Sequence, residues 1–140
     1  MANEIIEANA FETDAIKSSF DGTGDTMFRL KAISAMNTAE SLNDHMNEII
    51  KVCDYVIMPG VRKGRGNNPD SRCQNTYIFD TDGNAFFTQS DGVANDLQKF
   101  IHFCPDLGKQ SMPLGYLPLK CVSRPLPNGN TIKNLIIADE

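Results

Sequence analysis

Residues 76–90 constrain the fold of this chain more than any other stretch. Two β-favouring runs, residues 77–79 and 85–88, flank Asp82-Gly83, a dipeptide that tolerates positive φ and suits a tight hairpin turn. Ser90 and Asp91 follow at once as helix caps, and Val93, Leu97, Phe100 and Ile101 recur at i, i+4, i+7 and i+8. A hairpin running straight into an amphipathic helix cannot bury its own apolar faces. The flanking chain must cover it with further strands.

On the N-terminal side, residues 26–37 open with alternation. Phe28, Leu30 and Ala32 face one way and Arg29 and Lys31 the other, the pattern of a half-buried strand with a solvent-facing basic side. Residues 38–46 are polar and fit a short helical turn or a loop. In residues 47–58 a helix fits the first half, but the density of β-branched and aromatic residues favours one long strand, which Pro59-Gly60 interrupts. On the C-terminal side, residues 104–118 are a loop rich in Pro and Gly. Residues 119–124 and 131–138 read as strands, joined across the hairpin signal Asn128-Gly129.

The order is strand, strand, strand–turn–strand, helix, strand, strand, with mostly short antiparallel connections. A small antiparallel sheet has edges to hide, and closing into a barrel hides them. The expected fold is mainly β: a five-stranded OB-fold barrel with one helix between strands three and four, plus a flexible N-terminal arm.

Length and composition (140 residues, 41% hydrophobic) allow one globular domain. The net charge of −5 is unevenly spread. Residues 1–25 carry Glu4, Glu7, Glu12, Asp14, Asp21 and Asp25 against Lys17 alone, which accounts for all of it. An acidic arm (1–25) therefore precedes an electrically balanced domain (26–140). One reading makes the arm a solvated tail. The other makes it a docking arm whose Ile5, Ile6, Phe11, Ile16 and Phe20 pack on a neighbouring subunit, while its acidity keeps it off the basic patch.

That patch is residues 61–73, the most biased segment of the chain. Arg62, Lys63, Arg65 and Arg72 stand against Asp70 among Gly, Asn and Pro, and a flexible basic loop is expected. No stretch approaches the roughly 18 apolar residues of a membrane span, and no apolar N-terminal signal segment precedes the arm. The four cysteines, Cys53, Cys73, Cys104 and Cys121, form no CxxC pair. They are expected to be reduced thiols in a cytoplasm, with neither metal nor cofactor.

Catalysis finds little support. His45 sits in a polar segment and His102 near Cys104, without zinc spacing, and Gly64-Arg65-Gly66 lacks the pattern of a phosphate-binding loop. A non-enzymatic binding surface fits better. Cations on a pliant loop follow a phosphate backbone, and rings on adjacent strands stack bases. Phe28, Phe79 and one of Phe86 and Phe87 are expected in the core. Tyr55, sharing strand parity with Lys51, is expected to face solvent, as are Lys120 and Arg124 on the fourth strand.

The run Asp44-His-Met-Asn-Glu-Ile-Ile-Lys-Val-Cys-Asp-Tyr-Val-Ile, the basic loop, residues 76–93 and the closing hairpin resemble small single-stranded DNA-binding proteins. Such proteins are encoded by phages and conjugative plasmids of Gram-positive bacteria. The resemblance covers residues 26–138. It implies an OB-fold that coats single-stranded DNA during replication or transfer with little sequence preference. The chain departs from the ordinary bacterial protein in ending at Ala138-Asp-Glu140 without a long acidic tail.

The expected interface is therefore Lys51, Tyr55, Arg62, Lys63, Arg65, Arg72, Tyr77, Phe87, Lys120 and Arg124, with single-stranded DNA (or RNA) as partner in a bacterial cytoplasm. The arm is expected to mediate self-association. The competing expectation is an OB-like protein-interaction module, an accessory or anti-host factor, without nucleic-acid binding.

Overall fold

The computed structural model of the protein describes residues 16–20, 26–103 and 116–138, except for the side chain of Phe28. In chain order the elements are β1 (Lys17–Ser18), α1 (Thr26–Met36), β2 (Glu40–Ser41), a 3₁₀ turn (Leu42–His45), β3 (Ile49–Arg62) and β4 (Ser71–Asp80). They continue with β5 (Ala85–Thr88), α2 (Asp91–Phe103), β6 (Leu117–Pro125) and β7 (Thr131–Ile137). The strands form one curled, open sheet, a half-barrel in the order β2-β5-β4-β3-β6-β7. β1 adds to β3 beyond β6, and among the described residues only the β2–β5 pairing is parallel.

The long strand β3 sets the register. β4 pairs along most of one edge, while β6 takes Ile49 to Val52 on the other edge and β1 takes Val56 and Ile57. A bulge at Cys53 breaks its alternation. Ile50 and Val52 before the bulge, and Tyr55 and Ile57 after it, therefore all enter the inner core with Leu42, Ile78, Phe86, Leu119, Cys121 and Leu135. The outer face carries a smaller cluster, Val56, Phe79 and Ala85, under Phe20 and the Ala32, Ala35 and Met36 side of α1.

The Asp82-Gly83 turn forms around Asp80. Its carboxylate accepts from the backbone N–H groups of Asp82 and Asn84 at 2.9 and 2.8 Å, and Gly83 takes φ 85°. Ser90 caps α2 by accepting from the Val93 N–H at 3.3 Å. Val93 and Leu97 are wholly buried, each stabilising by about 1.5–3 kcal/mol. Asp96, on the same helix, accepts from the Leu135 N–H at 2.9 Å and from the Asn134 side-chain amide at 2.8 Å. The helix thus serves the backbone of edge strand β7 as well as the core.

Several expectations are corrected. Residues 26–36 are a helix, not a strand. The alternation of Phe28, Leu30 and Ala32 is only three residues long, and Ala, Met, Leu, Lys and Arg are strong helix formers. Arg29 and Lys31 therefore share no strand face, and the Arg29 guanidinium bonds Thr26 Oγ1 at 3.0 Å. Pro59-Gly60 does not interrupt β3. Tyr55 turns its backbone toward Ser19, so Pro59, four residues on, faces that same edge and takes nothing from the β4 ladder. Gly60 makes room for the Asn75 side chain, which lies 2.4 Å from where a Cβ would sit. The basic loop shrinks to residues 63–70, because Arg62 and Arg72 stand on strands. Pro118 lies in β6, opposite Lys51.

Among the described residues the sheet has seven strands, two of them only two residues long. One of these, β1, lies on the arm's side of residue 25. Phe20 packs its ring edge-on against Phe79 at 5.6 Å, so it belongs to the domain's own core. Ile16 is partly exposed, while Ile5, Ile6, Phe11 and Cys104 lie outside the described residues.

At Gly92, a Cβ would lie 2.2 Å from the Lys133 carbonyl oxygen. Gly92→Ala gains about 1 kcal/mol of helix propensity. Displacing β7 should outweigh this, for a net destabilisation of about 1–2 kcal/mol in urea unfolding. A more stable variant would refute this helix–strand packing.

Candidate functional site

The outer face of β3, β4 and β5 carries an aromatic pair. Tyr77 and Phe87 are cross-strand neighbours with ring centroids 5.0 Å apart, both half-buried. The register sets them there. Ile78 and Phe86 turn inward, so Tyr77 and Phe87 must turn outward. Tyr55 does not join them. It is 8% exposed inside the core, because the Cys53 bulge reverses the parity it would have shared with Lys51.

Beyond Phe87 the face opens into a hollow of about 320 Å³ lined by Ser41, Asn43, Arg62, Phe87, Gln89, Lys133 and their neighbours. The Arg62 guanidinium donates to the Gln89 carbonyl at 2.5 Å and lies 3.7 Å from Asp91. The Lys133 ammonium bonds Asn43 Oδ1. Gln89 donates to Asn75 Oδ1 at 3.0 Å, continuing a polar floor along the hairpin. Lys133 escaped the sequence reading. It sits within the apolar run of β7, and only the curl of the sheet brings that strand opposite β5.

The other cations fall into two groups. At the tip of the β3–β4 hairpin, Lys63 lies 3.4 Å from Asp70, whose carboxyl is held below the usual range chiefly by the Gly64 N–H. Arg65 and Arg72 make no ion pair among the described residues. Arg72 pairs with Val61 and so emerges on the opposite face of the hairpin from Arg62. Lys51 and Lys120 lie elsewhere, and Arg124 stands on β6 beside Lys133. Lys51 stands 5.2 Å from the centre of the Tyr116 ring, and Arg124 donates to Asn134 Oδ1 at 3.2 Å. Lys51 is eleven residues from Arg62 along β3, roughly 35 Å. The structure therefore brings together Arg62, Tyr77 and Phe87 and adds Lys133, but separates them from Lys51 and Lys120, while Arg124, opposite Ile132, turns to the other face of the β6–β7 hairpin from Lys133.

A second hollow, about 330 Å³, lies under α1 between Phe20, Lys31, Cys53, Asp54, Phe79, Asp80 and Asp82. Burial, followed by the Asp54 charge, pushes the Cys53 thiol up to about 12, and burial also raises Cys73 and Cys121. These three thiols are protonated at neutral pH, the opposite of an activated nucleophile. His45 stands between Glu40 and Glu48, at 3.0 and 3.1 Å, with its ring against Phe86. Among the described residues no three His, Cys, Asp or Glu side chains gather to hold a metal ion, and no helix is long and apolar enough to cross a membrane.

No protein-family model, no curated protein and no solved structure matches this chain.

Burial raises the Asp54 carboxyl above its ordinary value, and the Ser19 hydroxyl, donating at 2.9 Å, only partly offsets this. The native state then holds the proton longer than the unfolded chain, so ionisation destabilises the fold as pH rises from about 4 toward neutrality. Asp54→Asn keeps an acceptor for Ser19 and removes the ionisation. It is expected to be more stable than the parent at pH 7, with the gain vanishing below pH about 3.5. Urea unfolding at both pH values checks this, and a variant less stable at pH 7 would contradict it.

Proposed function

We propose that the protein binds single-stranded nucleic acid, DNA in the first place, without catalysis and with little sequence preference. The observation that carries this reading is the convergence of Arg62 and Lys133 around Phe87, with Tyr77 packed against the same ring. Ring faces accept any base, and cations on both sides of them follow the phosphates. The hairpin cations Lys63 and Arg65 extend the track beyond the hollow.

The strand order supports an OB-like barrel. Set aside the two-residue strands β1 and β2, and five strands remain in the order β5-β4-β3-β6-β7, with α2 after the third in sequence. In that fold the face of strands two and three, here β4 and β5, and the adjoining loops bind single strands. On this reading, and with the resemblance noted in the sequence, the protein serves replication or conjugative transfer in a bacterial cytoplasm.

One observation favours the protein-interaction module instead. α1 leaves Met27, Leu30 and Ile33 more than half exposed in one stripe, an apolar surface that suits a protein partner. Titration with labelled oligo-dT at two salt concentrations decides between the readings. Absence of binding at low salt leaves the module.

Replacing Arg62, Lys63 and Arg65 together with Ala is expected to weaken binding to all sequences alike. It should also reduce the log–log salt slope by about 0.7 for each phosphate that no longer has a cation beside it. Phe87→Ala should cost about 1–3 kcal/mol in binding, whereas Tyr55→Phe, in the core, should leave affinity unchanged. An unaltered salt slope would make the hairpin a solvated loop and no more.

A further inference from the structure

The hollow under α1 lies outside the proposed nucleic-acid interface and shares none of its residues. Its walls are largely apolar. Phe20 and Phe79 meet edge to face at 5.6 Å, and Ala32 closes the helix side. At about 330 Å³ it falls at the small end of ligand pockets, which span roughly 300–1,000 Å³, and has room for a one-ring molecule. The bulge at Cys53 turns Asp54 to this side of the sheet, as bulges beside binding sites re-aim a side chain.

Three carboxylates line the hollow, and they are not equivalent. Asp82 is exposed in the turn. Asp80 engages both its oxygens in that turn, accepting from the backbone N–H groups of Asp82 and Asn84 and from the Asn84 amide. Asp54 is half-buried, accepts from the Ser19 hydroxyl at 2.9 Å, and has no ion pair among the described residues. Lys31, the one cation at the rim, is exposed and makes no ion pair there either. The hollow is negative on balance, and burial without a counter-charge raises the Asp54 carboxyl above its ordinary value. A carboxylate held where it lowers stability is the kind of group a binding site retains. A metal ion does not suit it, since no three ligating side chains gather among the described residues and the apolar walls supply none. An ammonium on an apolar body does: Asp54 balances the charge, the Phe20 and Phe79 rings attract it, and the walls take the body. We propose that this hollow binds a small organic cation, a primary amine carried on one aromatic ring, with Asp54 as its counter-ion. The site does not depend on the single-strand reading.

Phenethylammonium and its neutral counterpart 2-phenylethanol test this, titrated into the ¹⁵N-labelled full chain at neutral pH and read from amide chemical shifts. The amine is expected to shift the amides of Lys31, Asp54 and Asp80 to saturation. The alcohol should bind on the order of tenfold more weakly, about the contribution of one hydrogen bond to a charged group. Asp54→Asn should weaken the amine by the same factor and leave the alcohol unchanged. Ala32→Leu, which fills the hollow from the helix side, should remove the binding of both. Absent shifts, or shifts scattered over the surface without saturation, overturn the site, and binding that survives Ala32→Leu overturns its location. The counter-ion role is overturned if the parent binds amine and alcohol equally, or if Asp54→Asn weakens both or neither.

Discussion

Without the bulge at Cys53, β3 would turn Ile50, Val52, Asp54 and Val56 to one face and Tyr55 and Ile57 to the other. A carboxylate would then enter the core beside Val52, and a tyrosine and an isoleucine would leave it. Burying an unpaired carboxylate costs several kcal/mol even after relaxation, more than the burial of any one apolar side chain returns. One inserted residue removes the conflict. Tyr55 and Ile57 join the inner cluster, and Asp54 turns outward to the Ser19 hydroxyl. The Cys53 thiol donates toward the carbonyls of Phe79 and Asp80 at 3.5 and 3.2 Å, serving the ladder where pairing is irregular.

The same inserted residue fixes where the aromatic pair stands. Because Tyr55 is inside, its cross-strand partner Ile78 is inside too, and Phe86 beyond it. Tyr77 and Phe87 are therefore outside, with Val56 and Phe79 as neighbours on the same face. α1 packs on that face through Ala32, Ala35 and Met36, in the cluster that also takes in Phe79 and one side of Tyr77. Alanines bury little area, so α1 is held less firmly than α2, which buries Val93 and Leu97 completely.

What could be read from the sequence was local. The turns at Gly83 and Gly129, the Ser90 cap and the apolar stripe of α2 each depend on a few adjacent residues, and each forms as its chemistry dictates. The facing of Tyr55 was not legible, because strand parity is a counting rule and one bulge inverts it for every later residue. Residues 26–36 misled for a related reason. Three alternating apolar residues fit either period, and the choice fell to α1 packing on a face that the sequence alone does not reveal. Lys133 was hidden by distance. It reaches Phe87 only when the sheet curls, a property of all the strands together.

The charge distribution shows why a net value says little about such a surface. At physiological salt, charges more than about 8 Å apart on the surface scarcely influence one another. Lys51 and Lys120, remote along β3, therefore do nothing for the potential at the hairpin, whatever they add to the total. Arg62, Lys63, Arg65 and Arg72 act within a few residues of one another, against Asp70 at the tip and Asp91 at the helix start. The six carboxylates of residues 1–25 carry the whole net charge. They affect that hairpin only within a screening length of it.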